Sequence, residues 1–276
     1  MSQFPCFNHS SLVLANIHSA AFRRHLRALE PETRVVFDFV DGPLPAEPAP
    51  AIDKFFAGPF YSFYPSASSD DLRSAHTWLL KVLEKQGPYD GVLAFSQGCA
   101  LAATLMLDIQ STSEARKQPF KFAIYICGGI PLSYLEDKGY KVEEEAKQYD
   151  EKARLALSSQ ASVDALLQNG SQRWTQNFTP LSHHQHSNSQ QSPPAIIFGL
   201  DIAQVADVHK IPIPTVHIYG NRDPRMGSAL QLAGMCRLDK TRVACHNGGH
   251  DIPRTSEVSD MIARLILWAA TENEKE

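Results

Sequence analysis

Residues 89–98 read Tyr89-Asp90-Gly91-Val92-Leu93-Ala94-Phe95-Ser96-Gln97-Gly98, and they are the clearest indication of the fold. An apolar run leads into a single serine, and small residues follow it. This pattern predicts a strand, a sharp turn and a helix, an arrangement that holds a serine oxygen at the top of a sheet. Such a turn needs small residues two positions before and after the serine. Gly98 meets this need, and Ala94 exceeds glycine by only one methyl group, so Ser96 is a candidate nucleophile.

Two further polar residues follow predicted strands near the C-terminal end of the sequence. Asp223 comes after the apolar segment 214–220, and His250 comes after the short strand predicted around 242–246 and a pair of glycines. Open α/β sheets build their sites at the carboxyl ends of strands. The chain order serine, aspartate, histidine is that of α/β-hydrolases. We therefore predict that Ser96, Asp223 and His250 form a catalytic triad.

Other histidines and aspartates compete for these roles. His246 is the alternative base, but only His250 follows the paired glycines. His217 lies in the middle of a predicted strand, where a hydrogen-bonded core histidine is expected. Asp251 is too close to His250 along the chain to reach its far nitrogen easily. The remaining alternatives for the acid are Asp41, Asp201 and Asp239.

The composition is that of a globular protein. The 276 residues are 43% hydrophobic and 20% charged, which is typical of a folded domain, and we predict one α/β domain over residues 1–276. A net charge of −4 gives no electrostatic footprint for nucleic acid or an anionic membrane. The five cysteines are an odd number scattered through apolar segments, as in proteins with reduced thiols. With no signal peptide or membrane span recognised in the sequence, the expected location is the cytoplasm.

Predicted strands alternate with predicted helices along the chain, which indicates a mostly parallel sheet with helices on both faces. One of these helices is expected to have Ser69 as its cap and to end at Gly87 and Pro88. The aromatic, proline-rich stretch 43–65 is either a packed loop or one wall of an acyl pocket.

Two segments fall outside this alternation. Residues 131–170 are rich in Glu, Lys, Ala, Leu and Gln, and we predict a helical insertion that acts as a lid. Residues 182–194 are predicted to form a polar loop. His183, His184 and His186 in this loop have no cysteine or carboxylate at ligand spacing, so neither a metal site nor a cofactor is predicted.

With these residues in place, the sequence resembles the fungal serine-hydrolase family of small α/β-hydrolases. The matching segments are residues 38–43, 87–92, 95–98, 127–129, 220–223 and 246–253. The resemblance implies hydrolysis of a carboxyl ester or thioester. Within the family, the sequence is most similar to a subset of esterases and thioesterases that work beside polyketide synthases in secondary metabolism. The implied partners are a small-molecule or carrier-protein-bound acyl substrate and a polyketide synthase.

An oxyanion hole for this chemistry needs backbone N–H donors. The first is expected at Gln97, which opens the helix after the nucleophile. Members of the family have a Leu-His-Gly strand end that supplies the second, whereas residues 6–12 here contain no glycine. The second donor is therefore placed only approximately, near Asn8 and within residues 7–10.

The leading hypothesis is hydrolysis of an acyl ester or thioester through an acyl-enzyme. An acyltransferase would use the same residues and differ only in its second nucleophile. A non-catalytic hydrolase-fold protein that binds a small molecule is the alternative from another class.

Overall fold

The computed structural model of the chain describes residues 9–14, 20–33, 35–48, 58–111, 117–174, 196–253 and 255–272. In chain order the strands are β1 His9–Leu14, β2 Val35–Val40, β3 Leu44–Pro45, β4 Tyr61–Ser62, β5 Gly91–Phe95, β6 Phe122–Ile126, β7 Ile196–Ile197, β8 Leu200–Asp201, β9 Thr215–Gly220 and β10 Thr241–His246. The helices are α1 Ala20–Thr33, α2 Ser69–Gln86, α3 Gln97–Ser111, α4 Leu132–Asp137, α5 Glu144–Gln160, α6 Val163–Asn169, α7 Met226–Gly234 and α8 Ser256–Glu272.

A six-stranded parallel sheet organises the described residues, with the spatial order β10-β9-β6-β5-β1-β2. The register pairs Leu14 with Ala94, and Phe95 with Ile126, so the carboxyl ends of β1, β5 and β6 lie at one edge. The two shortest pairs, β3 with β4 and β7 with β8, are antiparallel and separate from this sheet. The prediction of a mostly parallel sheet is confirmed.

Side chains alternate between two apolar layers because successive strand residues point to opposite faces. Val92 and Ala94 of β5 pack with α2, α3 and α7 on one face, whereas Leu93 packs with α1 and α8 on the other. Both faces are therefore covered by helices, and the fold class is the predicted one. None of the helices in the described ranges combines the length and apolar character that a bilayer crossing requires.

The start of α2 differs from the sequence prediction by one residue. Its cap is Ser68, whose hydroxyl accepts a hydrogen bond from the N–H of Asp71, and Ser69 is the first helical residue. The other end is as predicted, because the N–H of Gly87 still bonds to the carbonyl of Leu83 (2.9 Å) and Pro88 cannot continue the helix.

Three helices, α4 to α6, lie within the segment 131–170 where a helical insertion is predicted. The buried face of α5 includes Tyr149, whose ring packs against Phe198 at 4.6 Å between centroids. Tyr149 also accepts a hydrogen bond from the N–H of Gly227 at the start of α7 (3.0 Å). The described contacts therefore join α5 to the sheet-bound part of the fold, and its action as a lid remains a prediction. The polar loop at 182–194 lies outside the described residues.

Candidate active site

Ser96 lies directly after β5, in a backbone conformation that non-glycine residues rarely adopt. Its φ is +49°, and its N–H bonds to the carbonyl of Ile126 (3.0 Å) while its own carbonyl accepts from the N–H of Cys99 (3.0 Å). These bonds hold the turn between β5 and α3, and they offset the strain of the left-handed conformation. The predicted sharp turn is present, and its serine points out of the strand end.

The two small residues around Ser96 are small for different reasons. A β-carbon at Gly98 would lie 2.0 Å from the carbonyl oxygen of Leu14, which is backbone and cannot yield. Ala94, in contrast, is a fully buried strand residue whose methyl group packs in the core. Glycine is therefore required after the serine, and alanine is accommodated before it.

A chain of hydrogen bonds joins the three predicted residues. The Oγ of Ser96 lies 3.0 Å from Nε2 of His250, and Nδ1 of His250 lies 2.9 Å from Oδ2 of Asp223. An ionised carboxylate can only accept, so Nδ1 carries the proton and Nε2 accepts from the serine hydroxyl. The structure brings together residues that are 154 and 27 positions apart in the sequence.

The Asp223 carboxylate is buried and held from several sides. Its Oδ1 accepts a hydrogen bond from the backbone N–H of Arg225 (2.8 Å). Burial alone raises the pKa of Asp223, but His250 and the hydrogen bonds from Arg225 and Cys127 bring that pKa below its usual value. The carboxylate is therefore ionised at neutral pH, as an orienting acid must be.

The alternative histidines are engaged elsewhere. His246 is buried, and its Nδ1 accepts a hydrogen bond from the N–H of Gly248 within its own loop (3.0 Å). His217 is buried beside Tyr125, with its Nε2 3.3 Å from the hydroxyl of Thr215. Burial lowers the pKa of His217 to about 3, so it is a neutral core residue at pH 7.

The alternative aspartates also have structural partners. Asp41 forms an ion pair with Arg23 (2.7 Å), and Asp239 forms one with Arg237 (2.7 Å). Asp201 accepts a hydrogen bond from the N–H of Ala203 (2.9 Å). Asp251 accepts one from the indole N–H of Trp174 (3.0 Å). Among the described residues, the carboxylate that contacts the His250 ring is that of Asp223.

Trp174 contacts the loop that carries His250, a contact that the sequence did not reveal. Its side chain is 3% exposed, and a β-carbon at Gly249 would lie 2.1 Å from its ring. Glycine at 249 therefore makes room for the indole directly beside His250. Because Trp174 follows the helical segment 131–170, its hydrogen bond to Asp251 joins the end of that segment to the loop that carries His250.

Cys127 is a second residue near Ser96 that the sequence reasoning did not assign to the site. Residues 127–129 were identified only as one of the segments that resemble the family. Cys127 follows β6 with a φ of +49°, and its sulfur lies within 4.8 Å of ligand-type atoms of Asp223 and His250. Burial, and after it the Asp223 carboxylate, raise the pKa of the Cys127 thiol well above its usual value. A thiolate is the form that ligates metals. The raised pKa keeps the Cys127 thiol neutral, and its sulfur lies 3.7 Å from the carbonyl oxygen of Asp251 and 4.0 Å from that of Gly249. This cluster therefore lacks the thiolate that a metal site would use.

The structure describes part of the region in which the oxyanion donors are expected. Gln97 is the first residue of α3, and its side-chain amide accepts from the N–H of Phe63 (3.1 Å) and donates to the carbonyl of Tyr64 (2.8 Å). Asn8 lies outside the described residues. Ser10, at the other end of the proposed range, donates its N–H to Asp90 (3.1 Å) at the amino end of β1, away from the edge where Ser96 lies. The backbone of Ser10 therefore cannot be the second donor.

A pocket of about 320 Å³ opens beside the serine. Its lining includes Ser96, Gln97 and Tyr64, the segment 127–131, and Arg154 and Leu157 of α5. The volume is near the lower end of that of small-molecule sites, about 300–1,000 Å³. The aromatic stretch 43–65 was expected to be a packed loop or a wall of an acyl pocket, and its end at Tyr64 and Pro65 lines this pocket. Residues 49–57 of the stretch lie outside the described residues.

Comparison with known proteins gives a consistent result. The model of a family described as Serine hydrolase (FSH1) matches residues 15–262. Esterase alnB from Emericella nidulans is 25% identical over 260 residues, which cover 87% of both chains. Esterase FPY3 from Fusarium mangiferae is 26% identical over 238 residues, which cover 86% of this chain and 82% of that protein.

Solved structures share the fold at low sequence identity. An esterase from Pyrobaculum calidifontis superposes with a TM-score of 0.52 at 14% identity, covering 96% of this chain and 77% of that one. At this identity the likeness shows the α/β-hydrolase fold alone.

Proposed function

This chain belongs to the FSH1 family of serine hydrolases, and from that premise we propose that it cleaves a carboxyl ester or acyl thioester at Ser96. His250 is the proposed general base and acid, and Asp223 the residue that orients it. The observation that carries the proposal is the continuous pair of hydrogen bonds, 3.0 Å from Ser96 to His250 and 2.9 Å from His250 to Asp223. An unassisted serine hydroxyl is a poor nucleophile at neutral pH, and this arrangement supplies the required base.

The proposed reaction proceeds in two halves. The Ser96 oxygen attacks the acyl carbonyl while its proton passes to Nε2 of His250, and a tetrahedral intermediate forms. Its collapse breaks the bond to the alcohol or thiol, which leaves with the proton from His250. A water molecule then repeats these steps on the acyl-serine and releases the carboxylic acid. Asp223 keeps the imidazole in the correct tautomer and stabilises the imidazolium.

The charge that develops on the carbonyl oxygen needs hydrogen-bond donors. We propose the backbone N–H of Gln97 as one, because it lies in the first turn of the 15-residue helix α3. The positive end of a helix dipole stabilises an anion there. The hydrogen bonds of the Gln97 side chain to residues 63 and 64 fix the position of this backbone.

The pocket and the relatives both bear on the acyl group of the substrate. The pocket volume of about 320 Å³ favours a group of modest size. We propose an acyl ester or thioester made in secondary metabolism, including a polyketide held on a carrier protein. The support for this is the sequence resemblance and the esterase names of the relatives from Emericella nidulans and Fusarium mangiferae. Rates on p-nitrophenyl esters and on N-acetylcysteamine thioesters of the same acyl groups would establish the preference.

Labelling with a fluorophosphonate tests the nucleophile. We expect the wild type to be labelled, Ser96→Ala to be unlabelled, and Ser111→Ala, an exposed serine at the far end of α3, to be labelled like the wild type. Labelling that persists in Ser96→Ala would show that another residue is the nucleophile. Absence of labelling in the wild type would favour the non-catalytic, ligand-binding alternative.

A cytoplasmic location is also a proposal. Cys99, Cys127 and Cys236 are buried free thiols and Cys245 is an exposed one, a pattern typical of reducing compartments. Fractionation of cells that express a tagged protein would test it.

A further inference from the structure

Two arginines give the pocket beside Ser96 a positive wall. Arg154, from α5, and Arg225, from the loop before α7, are the charged residues among the described lining residues. The rest of that lining is neutral. A hydrolase pocket for purely apolar acyl groups has no need of two guanidinium groups. Their arrangement therefore bears on the charge of the substrate.

One carboxylate serves both arginines. Oδ1 of Asp150 lies 2.9 Å from Nη1 of Arg225, and Oδ2 of Asp150 lies 2.7 Å from Nε of Arg154. Two positive charges therefore face one negative charge, and the cluster has a net charge of +1. Asp223 adds a further negative charge nearby, but its two carboxylate oxygens accept from Nδ1 of His250 and from the backbone N–H of Arg225, so neither oxygen is paired with a guanidinium of the described residues.

Arg225 is the better placed of the two. Its side chain is 16% exposed, whereas that of Arg154 is 56% exposed and more strongly screened by water. Nη2 of Arg225 would lie 3.3 Å from a β-carbon at Gly129, so glycine at 129 leaves room for the guanidinium at the end of β6. Within the described part of the chain, this guanidinium donates to Asp150 through Nη1 (2.9 Å).

The positive charge extends into the pocket. Burial raises the pKa of the Tyr64 hydroxyl, and the charges of Arg154 and Arg225 oppose this increase. The same hydroxyl donates to the carbonyl of Gln97 (3.3 Å), the residue next to the nucleophile. The positive charges of the two arginines therefore act on a hydroxyl group that contacts the residue next to Ser96.

From this arrangement we propose that Arg225, assisted by Arg154, forms a subsite for an anionic group of the substrate, a carboxylate or a phosphate. The planar guanidinium suits both, because it can bind either with two parallel hydrogen bonds. A carboxylate would belong to the acyl chain, and a phosphate to a phosphopantetheine leaving group. The inference rests on the proposed function of Ser96 and names its substrate class.

Two substrate pairs test the proposal and separate these sources. The first compares p-nitrophenyl hydrogen adipate with p-nitrophenyl 6-methylheptanoate, in which an isopropyl group replaces the carboxylate. The second compares S-acetyl-4′-phosphopantetheine with S-acetylpantetheine. We expect kcat/KM of the wild type to favour the anionic member of one pair by about 10- to 100-fold, the range for a hydrogen bond to a charged group. This ratio should fall as the NaCl concentration rises.

Two variants should change the ratio in opposite directions. Arg225→Gln removes the principal cation, so the preference should fall towards one. Asp150→Asn removes the competing carboxylate, so the preference should rise. Arg225→Lys should retain part of it, and Arg237→Gln, a charge-matched change outside the pocket, should leave it as in the wild type. Each ratio is taken within one variant, so a general loss of folding or activity cancels.

The opposite signs exclude a purely structural role. If the ion pairs only attach α5 to the fold, Arg225→Gln and Asp150→Asn both break that attachment and leave the ratio unchanged, which would overturn the proposal. Absence of any preference in the wild type for both pairs would overturn it as well, without any variant. Failure of the proposed function is a separate outcome, because fluorophosphonate labelling and hydrolysis of the neutral esters would then also be absent.

Discussion

Replacement of Asp223 by asparagine tests whether this carboxylate sets the tautomer of His250. In the wild type, Oδ1 accepts from the backbone N–H of Arg225 (2.8 Å) and Oδ2 accepts from Nδ1 of His250 (2.9 Å). An amide has only one oxygen, and the backbone N–H of Arg225 is a fixed donor. The oxygen therefore faces Arg225 and the NH₂ group faces His250. Nδ1 must then accept, which places the imidazole proton on Nε2 and prevents it from accepting the proton of Ser96.

We expect Asp223→Asn to lower kcat by about 10⁴-fold, the loss that the wrong histidine tautomer causes in other Ser-His-Asp enzymes. This corresponds to about 5.5 kcal/mol in the activation barrier. Initial rates on a p-nitrophenyl ester measure it, and the melting temperature shows whether the variant is folded. Asp239→Asn is the matched control, because Asp239 was an alternative acid and forms an exposed ion pair with Arg237. A folded Asp223→Asn variant that keeps more than about one-tenth of the wild-type kcat would refute this reasoning.

Three further predictions concern residues near Ser96 and His250 and one buried histidine. Gly98→Ala should abolish activity and destabilise the fold by about 1–3 kcal/mol or more, because its β-carbon would lie 2.0 Å from the Leu14 carbonyl; wild-type rates and melting temperature would contradict this. Trp174→Phe should cost about 1–3 kcal/mol and lower kcat, since the Asp251 carboxylate loses its indole donor (3.0 Å) beside His250; unchanged urea unfolding and kcat would contradict it. His217 has a pKa of about 3 when folded and an ordinary value of 6.5 when unfolded, so the unfolded chain binds more protons below pH 6.5. The free energy of unfolding should therefore fall by about 2 kcal/mol between pH 8 and pH 5, and less in His217→Phe, as measured by urea titration; equal slopes in both proteins would contradict this.

The sequence was informative where a residue's role follows from its position at a strand end. Ser96, Asp223 and His250 each follow a strand of one parallel sheet. Parallel strands place their carboxyl ends at the same edge, so residues far apart in the chain were expected to meet there. The apolar pattern predicted the strands, and the chain order predicted which polar residues would meet. Their hydrogen bonds in the structure agree with that reasoning.

Contacts that depend on how a loop packs could not be predicted in this way. Trp174 and Asp251 are 77 positions apart, and no strand or helix period relates them. The same holds for Arg225 and Asp150, which are 75 positions apart and meet only because α5 packs beside the start of α7. The N-cap of α2 was predicted at Ser69 and lies at Ser68, and the reason for this difference is local. Ser68 and Ser69 are chemically identical, and only the backbone conformation decides which of them caps.

The turn between β5 and α3 shows why a motif should be interpreted through the contact that each position makes. A motif with glycine two positions before and two positions after the serine treats positions 94 and 98 as equivalent. By that motif, alanine at 94 would be expected to disturb the turn. In the structure, Ala94 is a β5 residue paired with Leu14, and its methyl group fills space in the apolar layer of α2 and α3. Gly98 instead lies in the first turn of α3, where the end of β1 passes so closely that no side chain fits. The backbone of β1 therefore imposes glycine at one position only, and the single methyl group at the other is compatible with an intact site.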